Sequence, residues 1–183
     1  AVISDVLFLA SGEPDLVVEV INELAPGLTG SDVEGSLIAL GKLPVLSFTK
    51  TFGGEGVDGA RTVQQTSDGG YIIAGYTESY GEGGDVYLIK ADGKGNEQWH
   101  RTFGRDEGNS AYSVQRTADG GYIIAGVTVD EGGTDFYLVK TDEVGNEEWH
   151  KTFGGDKEEY AYSVRQTADG GYVIAGYTDS YGA

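Results

Sequence analysis

The chain has 183 residues, of which 30 are acidic and 12 are basic, so its formal net charge is −18. A field of that sign repels nucleic acid and anionic lipid, which argues against a protein that binds phosphate backbones. The sequence contains no cysteine, so disulfides, thiolate metal sites and cysteine nucleophiles are excluded.

The composition also indicates the fold class. Apolar residues make up 39% of the chain and 31 residues are glycine, well above the usual glycine fraction of about 7%. These glycines recur at turns between short apolar stretches, which predicts an all-β fold. No apolar run reaches the roughly 18 residues that a membrane-spanning helix needs, so we expect no transmembrane segment. The sequence starts at Ala1 and lacks methionine, and removal of a secretion signal is one common cause of such a start.

Residues 1–33 follow a pattern of their own. Val6–Ala10 is an apolar run that predicts a buried strand. Five further apolar residues recur at helical spacing: Leu16, Val17, Val20, Ile21 and Leu24. This spacing predicts one short helix that begins near Pro14 and ends before Pro26. A strand over Asp15–Val20 is the alternative.

The rest of the chain is repetitive. A Thr-Phe-Gly motif lies at residues 51–53, 102–104 and 152–154, so the repeat is about 50 residues long. A second motif, Asp-Gly-Gly-Tyr-Ile-Ile-Ala-Gly, lies at residues 68–75 and 119–126 and returns at 169–176 with one Ile replaced by Val. A fixed period of this length marks a stack of supersecondary units that bury their faces against one another.

The repeat region divides into complete and partial copies. Residues 34–52 align without a gap with residues 85–103, which predicts a degenerate half-unit in which Phe48 takes the position of Trp99. We therefore divide the chain into an N-terminal segment, residues 1–33, and a repeat region, residues 34–183. The repeat region consists of the half-unit 34–52, the units 53–103 and 104–153, and the partial unit 154–183.

Each complete unit predicts four antiparallel strands, which we call a to d. In the first unit these are Thr62–Thr66, Tyr71–Thr77, Asp85–Lys90 and a strand around Trp99. Strand b is almost continuously apolar, so we expect it in the middle of the sheet. The Asp-Gly-Gly before it supplies the positive φ of a tight turn. Four such strands per period are typical of one blade of a β-propeller.

The motifs resemble those of secreted bacterial and archaeal β-propeller proteins with tandem Thr-Phe-Gly-Gly, Asp-Gly-Gly-Tyr-Ile-Ile-Ala-Gly and Asp-x-x-Gly-Asn-x-x-Trp repeats. They are also similar to quinoprotein-like propeller repeats. The resemblance covers residues 50–183 and implies that Trp99 and Trp149 dock against the next blade, with Phe48 in the same role in the half-unit. It implies no cofactor ligand.

Propellers close with roughly four to eight blades, and this chain has too few. The sequence therefore predicts completion of blades between chains, which would give a homo-oligomer or a polymer. The alternative is that the chain is a piece of a longer array. Exposed edge strands in an open stack would favour polymerisation.

Candidate catalytic groups are scarce. His100 and His150 each follow a Trp on strand d, so both are expected to face solvent. No catalytic constellation can be built from two equivalent outer residues, and we predict that the protein is not an enzyme. Asp92 and Asp142, each with an Asn four residues later, are interpreted as turn residues, with a calcium loop as the weaker alternative.

Variation between the copies is concentrated in the loops that connect d to a and b to c. In a propeller both loop classes emerge on one face, where function usually resides. That face would carry acids, including Asp58 and Glu159, and tyrosines. Candidate calcium ligands are Asp106, Glu107, Asp130, Asp156 and Glu158. Candidate interaction residues are Tyr80, Glu82, Glu131, Tyr160 and Tyr181. The alternative is that these loops are merely solvated.

We expect a non-enzymatic, secreted or cell-surface protein with a structural or interaction role that self-assembles by inter-chain completion of β-blades. A glycan or a basic protein surface is a further expected partner, and nucleic acid is not expected. No cofactor is expected except calcium, if the acidic loops bind one. One alternative is a calcium- or glycan-binding lectin-like module, and another is a fragment of a quinoprotein-like or polysaccharide-acting enzyme.

Overall fold

The structure, a computed structural model, describes residues 4–8, 16–22, 48–81, 83–104, 108–130 and 133–180. These residues form thirteen strands in four antiparallel sheets and contain no helix. The all-β class predicted from the sequence is confirmed. No helix that could cross a membrane exists among these residues.

The N-terminal sheet has the order β1-β2-β3. Its strands are β1 (Ser4–Phe8), β2 (Leu16–Asn22) and β3 (Phe48–Phe52). The predicted helix is therefore wrong, because Leu16–Asn22 is a strand that pairs with β1 on one side and β3 on the other. The segment is rich in β-branched Val and Ile, which lose side-chain freedom in a helix and suit a pleated strand. This sheet joins strands from both sides of the predicted division at residue 33, while strand c of the predicted half-unit lies outside the described residues.

The first and second sheets each have four strands, as the repeat predicts. The first sheet, in the order β4-β5-β6-β7, consists of β4 (Asp58–Gln65), β5 (Tyr71–Thr77), β6 (Asp85–Ala91) and β7 (Glu97–Phe103). The second sheet consists of β8 (Ser110–Arg116), β9 (Tyr122–Asp130), β10 (Gly133–Thr141) and β11 (Glu147–Phe153), ordered β11-β10-β9-β8. Strand b lies inside both sheets, as expected from its apolar sequence.

The third sheet has two strands, β12 (Glu159–Gln166) and β13 (Tyr172–Thr178). They correspond to strands a and b of the preceding units and keep the same register. Each first strand contains a bulge, for example between Ala60 and Thr62 and between Ala161 and Ser163. The partner strand carries Gly opposite each bulge, since a Cβ at Gly176 would collide with the carbonyl oxygen of Tyr160.

The sheets stack with their cores between them. One buried cluster joins Ile72 and Leu88 of the first sheet to Val114 and Ile124 of the second. Another cluster joins Ile123 of the second sheet to side chains of the third. Each isoleucine buried in this way contributes about 1.5–3 kcal/mol relative to an exposed one. The stack is therefore continuous, as expected for a repeat that cannot bury its faces alone.

The first strands of the three repeated sheets lie side by side. Gln64 Oε1 accepts a hydrogen bond from the backbone N–H of Arg116 at 2.9 Å, and Gln115 Oε1 accepts one from the N–H of Gln166 at 2.8 Å. These equivalent bonds link β4 to β8 and β8 to β12. The sheets are thus held at a fixed offset along the edges formed by their first strands.

Candidate functional site: the open edge of the third sheet

The predicted docking aromatics contact the following sheet. Phe48 lies edge-on to Tyr71 with ring centroids 6.0 Å apart. Trp99 stands in the same relation to Tyr122 at 6.1 Å. Trp149 lies 5.8 Å from Tyr172. Edge-to-face pairs of this kind add about 0.5–1.5 kcal/mol beyond the area that they bury.

The turn glycines receive these aromatics. Gly95 and Gly145 have φ values of 76° and 82°, which favour glycine over other residues. A Cβ at Gly145 would also lie 2.7 Å from the ring of Trp99, and one at Gly95 would collide with Phe48. The turn glycine therefore has two purposes, the backbone geometry of the turn and the space for the preceding aromatic.

Among the described residues the third sheet lacks strand c, the strand that elsewhere buries the last Phe of the preceding sheet. Phe52 and Phe103 are each 6% exposed and cluster with side chains of β6 and β10, respectively. Phe153, in the same position, is 48% exposed. Within the described residues β13 pairs only with β12, so its second edge is free of a strand. We call this edge of β13, with the neighbouring Phe153, the open edge.

The outer face of the third sheet is exposed as well. Val173 is 55% exposed, whereas Ile72 and Ile123, at the same position of the repeat, are fully buried. Ile72 and Ile123 pack against the sheet that follows their own. The exposure of Val173 therefore reflects the lack of a following sheet among the described residues, and Tyr177, 45% exposed, lies on the same face.

A buried lysine on strand c of the second sheet joins the turn before strand b to strand d. The Lys140 side chain is only 2% exposed, and its Nζ donates to Asp119 at 2.9 Å and to Glu148 at 2.8 Å. A third bond reaches the carbonyl oxygen of Thr141 at 2.8 Å. Burial by itself lowers the pKa of Lys140, but the hydrogen bonds to the two carboxylates outweigh it and raise the pKa above its ordinary value.

The first sheet contains the same arrangement. Lys90, with a side chain 7% exposed, donates to Asp68 at 2.9 Å and to Gln98 at 3.0 Å. The pKa of Asp119 is lowered to about 2, mainly by the hydrogen bond from Lys140 and next by that from Thr117. The pKa of Asp68 is lowered as well, mainly by the hydrogen bond from Thr66 and next by that from Lys90. These aspartates were predicted as turn residues, whereas a role for the lysines was not predicted. The signal was present, since a Lys closes the apolar strand c in both units.

In the third sheet Asp169 corresponds to the aspartate that accepts from this lysine, but among the described residues no lysine is paired with it. Asp169 accepts a hydrogen bond from the N–H of Gly171 at 3.2 Å, and a hydrogen bond from Thr167 lowers its pKa. No ion pair to Asp169 occurs in the part of the chain that the structure describes. A Cβ at Gly121 would collide with the carbonyl oxygen of Thr141, whereas the nearest atom to a Cβ at Gly171 is Thr167 Oγ1 at 3.0 Å. No described residue fills the space in the third sheet that strand c fills in the second.

The predicted loop face is partly built as expected. The loops from d to a and from b to c lie together, because Ser79 Oγ accepts from the N–H of Gly56 at 2.8 Å and Gly83 O accepts from the N–H of Gly108 at 3.1 Å. However, Asp58 and Glu159 do not belong to a solvated surface. They are 6% and 1% exposed and accept hydrogen bonds from the loops.

Glu159 illustrates the role of this buried acid. Its carboxylate accepts from the N–H of Gly155 at 2.9 Å and from Thr178 Oγ1 at 3.1 Å. Hydrogen bonds from Ser180, and then from Gly155 and Thr178, hold the pKa of Glu159 below its ordinary value. The Glu159 carboxylate takes the place of water as the hydrogen-bond acceptor for the loop backbone, so its role is structural.

The candidate calcium ligands are not assembled in the described part of the chain. Asp156 and Glu158 are exposed, and Asp156 borders a shallow cavity of about 270 Å³ together with Lys157. Asp130 is the last residue of β9 and pairs with Gly133. Asp106 and Glu107 lie outside the described residues. Among the described residues no three His, Asp or Glu side chains are grouped as metal ligands would be.

Two of the candidate interaction residues are described with their side chains. The Tyr80 hydroxyl donates to the carbonyl oxygen of Gly53 at 2.9 Å, and the Tyr80 ring stacks on His100 at 4.8 Å. The Tyr160 hydroxyl donates to Glu158 at 3.0 Å. The remaining three, Glu82, Glu131 and Tyr181, lie outside the described residues.

The histidines are less exposed than predicted. The His100 side chain is 35% exposed and its Nδ1 lies 2.7 Å from Glu97 Oε1. The His150 side chain is 25% exposed, with Nδ1 2.6 Å from Glu147 Oε1. The interpretation of Asp92 as a turn residue fits its contacts, because it accepts from the N–H groups of Lys94 and Asn96 at 2.8 and 2.9 Å.

A cleft along the first strands was not anticipated from the sequence. It has a volume of about 400 Å³ and is lined by polar side chains and by Tyr112 and Tyr162. These two rings are 5.7 Å apart, and Tyr162 is 53% exposed. The Arg61 guanidinium lies 4.7 Å above the Tyr112 ring. The only signal in the sequence is that this position of strand a changes from Arg to Tyr between the units.

Comparison with known proteins adds no family assignment: no family model matches the chain, and no curated protein is significantly similar to it.

Proposed function

We propose that this chain is a non-enzymatic structural or interaction protein, secreted or at the cell surface, that assembles by inter-chain completion of β-propeller-type blades. The observation that carries the proposal is the open edge. Among the described residues, strands β5 and β9 are paired on both sides, whereas their counterpart β13 is paired on one side. The extracellular placement and the propeller architecture rest on the resemblance of the repeats.

The exposed groups at the open edge support strand addition. An unpaired edge strand presents a row of free N–H and C=O groups that a strand from another chain can pair with. Phe153 offers an apolar contact beside that edge. The outer face, with Val173 and Tyr177, offers a further apolar surface to a following sheet. The counterparts of Phe153 and Val173 elsewhere in the repeat are buried, so the sequence is already suited to burial of these side chains.

Sedimentation velocity over a range of concentrations tests the proposal. We expect the wild-type chain to form species heavier than its mass of 19.3 kDa. We expect Phe153→Ser to shift the distribution to lighter species, because the side chain is already half exposed and its loss costs the single chain little. Phe103→Ser is the matched control and should lower the melting temperature. A wild-type chain that stays monomeric at every concentration would contradict self-assembly.

Glycan binding in the cleft along the first strands is a second candidate. Tyrosine rings stack on sugar rings, and the polar side chains around Tyr112 and Tyr162 offer hydrogen bonds to hydroxyl groups. A glycan array screened with wild type and with Tyr162→Ala checks it. Hits that disappear in the variant support the candidate, and an array without hits counts against it.

A further inference from the structure

The contacts of the two buried lysines show what completes a sheet of this chain. In the first and second sheets a lysine near the end of strand c lies directly opposite the second residue of strand b. The pairs are Lys90 with Ile72 and Lys140 with Ile123. By the same register the completing strand of the third sheet would place a residue opposite Val173.

That position is prepared for an ammonium group. Asp169 corresponds to Asp68 and Asp119, which both accept a hydrogen bond from the lysine at 2.9 Å. Gly171 corresponds to Gly70 and Gly121, where a Cβ would come within 2.6 Å of Lys90 Nζ and within 2.8 Å of Lys140 Nζ. Asp169 therefore keeps the charge, and Gly171 the space, that the lysine uses elsewhere.

The N-terminal strands of a second copy do not supply this lysine. In the N-terminal sheet Val20 is opposite Phe48, as Lys90 is opposite Trp99 and Lys140 is opposite Trp149. Register thus places a valine where the internal repeats place a lysine. A segment of the internal type would meet the third sheet with the complementary charge. In this chain residues 135–153 are of that type but are paired within the second sheet, so the segment has to come from another chain in which these strands are unpaired.

We propose that the open edge of the third sheet selects a strand–turn–strand segment of the internal repeat type, and that Asp169 recognises it through a lysine opposite Val173. This inference rests on the proposed function, since it names the partner of the same edge. The ammonium group of such a lysine donates to a carboxylate, to a carbonyl oxygen and to a side chain of strand d in its own segment, so each of its three N–H groups has an acceptor. A segment without it leaves the carboxylate facing an apolar group, which costs affinity.

Fluorescence anisotropy with labelled peptides tests this selection. The probes are a peptide of residues 135–153 and the same peptide with Lys140→Met, which keeps the length of the side chain and removes its charge. When the wild-type chain is added to each labelled peptide, it should bind the lysine peptide about tenfold more tightly than the methionine peptide. With the Asp169→Asn chain that preference should fall to about twofold or less. Gly171→Ala should weaken both peptides, because the added Cβ takes the place of the ammonium group and the carbonyl oxygen.

Three results would overturn the inference: equal binding of the two peptides, a preference that survives Asp169→Asn, or no binding at about 1 mM. Sedimentation of the chain separates this inference from the proposed function. A chain that stays monomeric but prefers the lysine peptide contradicts self-assembly and supports the selection. A chain that assembles but does not distinguish the peptides supports self-assembly and overturns the selection.

Discussion

The second and third sheets carry nearly the same sequence and differ in what surrounds them. Residues 119–126 and 169–176 differ at one position, Ile to Val, and β9 and β13 form the same ladder with their first strands. Yet Ile123 is fully buried and Val173 is 55% exposed. The register of a hairpin is therefore local to the repeat, whereas burial depends on strands c and d and on the next sheet. Because the register is the same and the burial differs, equivalent substitutions in the second and third sheets measure how much strands c and d and the next sheet contribute to stability.

The largest difference is expected for core isoleucines. Ile124 is 1% exposed, while its counterpart Ile174 is only partly buried. Ile124→Ala should lower the free energy of unfolding by about 3 kcal/mol, because it removes packed methyl groups and leaves a cavity. Ile174→Ala should cost less than half of that. Urea denaturation of both variants checks the prediction, and equal losses would show that the third sheet is as well packed as the second.

The turn glycines should give the next largest difference. Gly121→Ala places a Cβ against the carbonyl oxygen of Thr141, and overpacking of this kind costs about 1–3 kcal/mol. Gly171→Ala meets nothing closer than 3.0 Å, so its effect should stay within about 0.5 kcal/mol. Thermal melting of the two variants measures both. A strong destabilisation by Gly171→Ala would mean that strand c already covers this turn in the isolated chain.

The buried lysine should give the smallest effect, with a characteristic pH dependence. Lys140→Met should cost about 1–2 kcal/mol near pH 7, a range that allows for the solvent exposure of Asp119 and Glu148. The pKa of Asp119 is lowered to about 2 from its ordinary 3.8. The ion pair therefore stabilises the fold fully above about pH 4, and this stabilisation is lost as the pH falls through 2. Wild type should lose stability more steeply than Lys140→Met between these values. Parallel curves would assign the stabilisation to packing alone.

Repeated residues made most of the fold predictable, and residues outside the repeat did not. Tyr71–Thr77 was predicted with the bounds that the structure shows, because the apolar run and the Asp-Gly-Gly turn point to the same strand. Leu16–Asn22 was predicted as a helix, because five spaced apolar residues fit a helical face as well as a strand. The β-branched residues favour a strand, but the pairing of this segment with β1 and β3 is what decides between them, and pairing is not local information.

The site was only partly predictable for a similar reason. The docking role of Trp99 was implied by the resemblance of the repeats, but Lys140 looked like an ordinary charged residue at the end of a strand. Its burial depends on Asp119 of the preceding turn, on Glu148 of strand d and on the carbonyl oxygen of Thr141. Likewise, Glu159 looked like one acid among many, and only the neighbouring loops explain why it is buried.

Hydrogen exchange at β13, followed as a function of protein concentration, tests the central claim most directly. Backbone amides that are bonded across a new strand pair exchange more slowly than those on a free edge. If chains assemble through the open edge, the amides of Tyr172–Thr178 become more protected as the concentration rises, while those of Tyr122–Val127 keep the same protection. Protection of Tyr172–Thr178 that does not change with concentration would contradict assembly through the open edge.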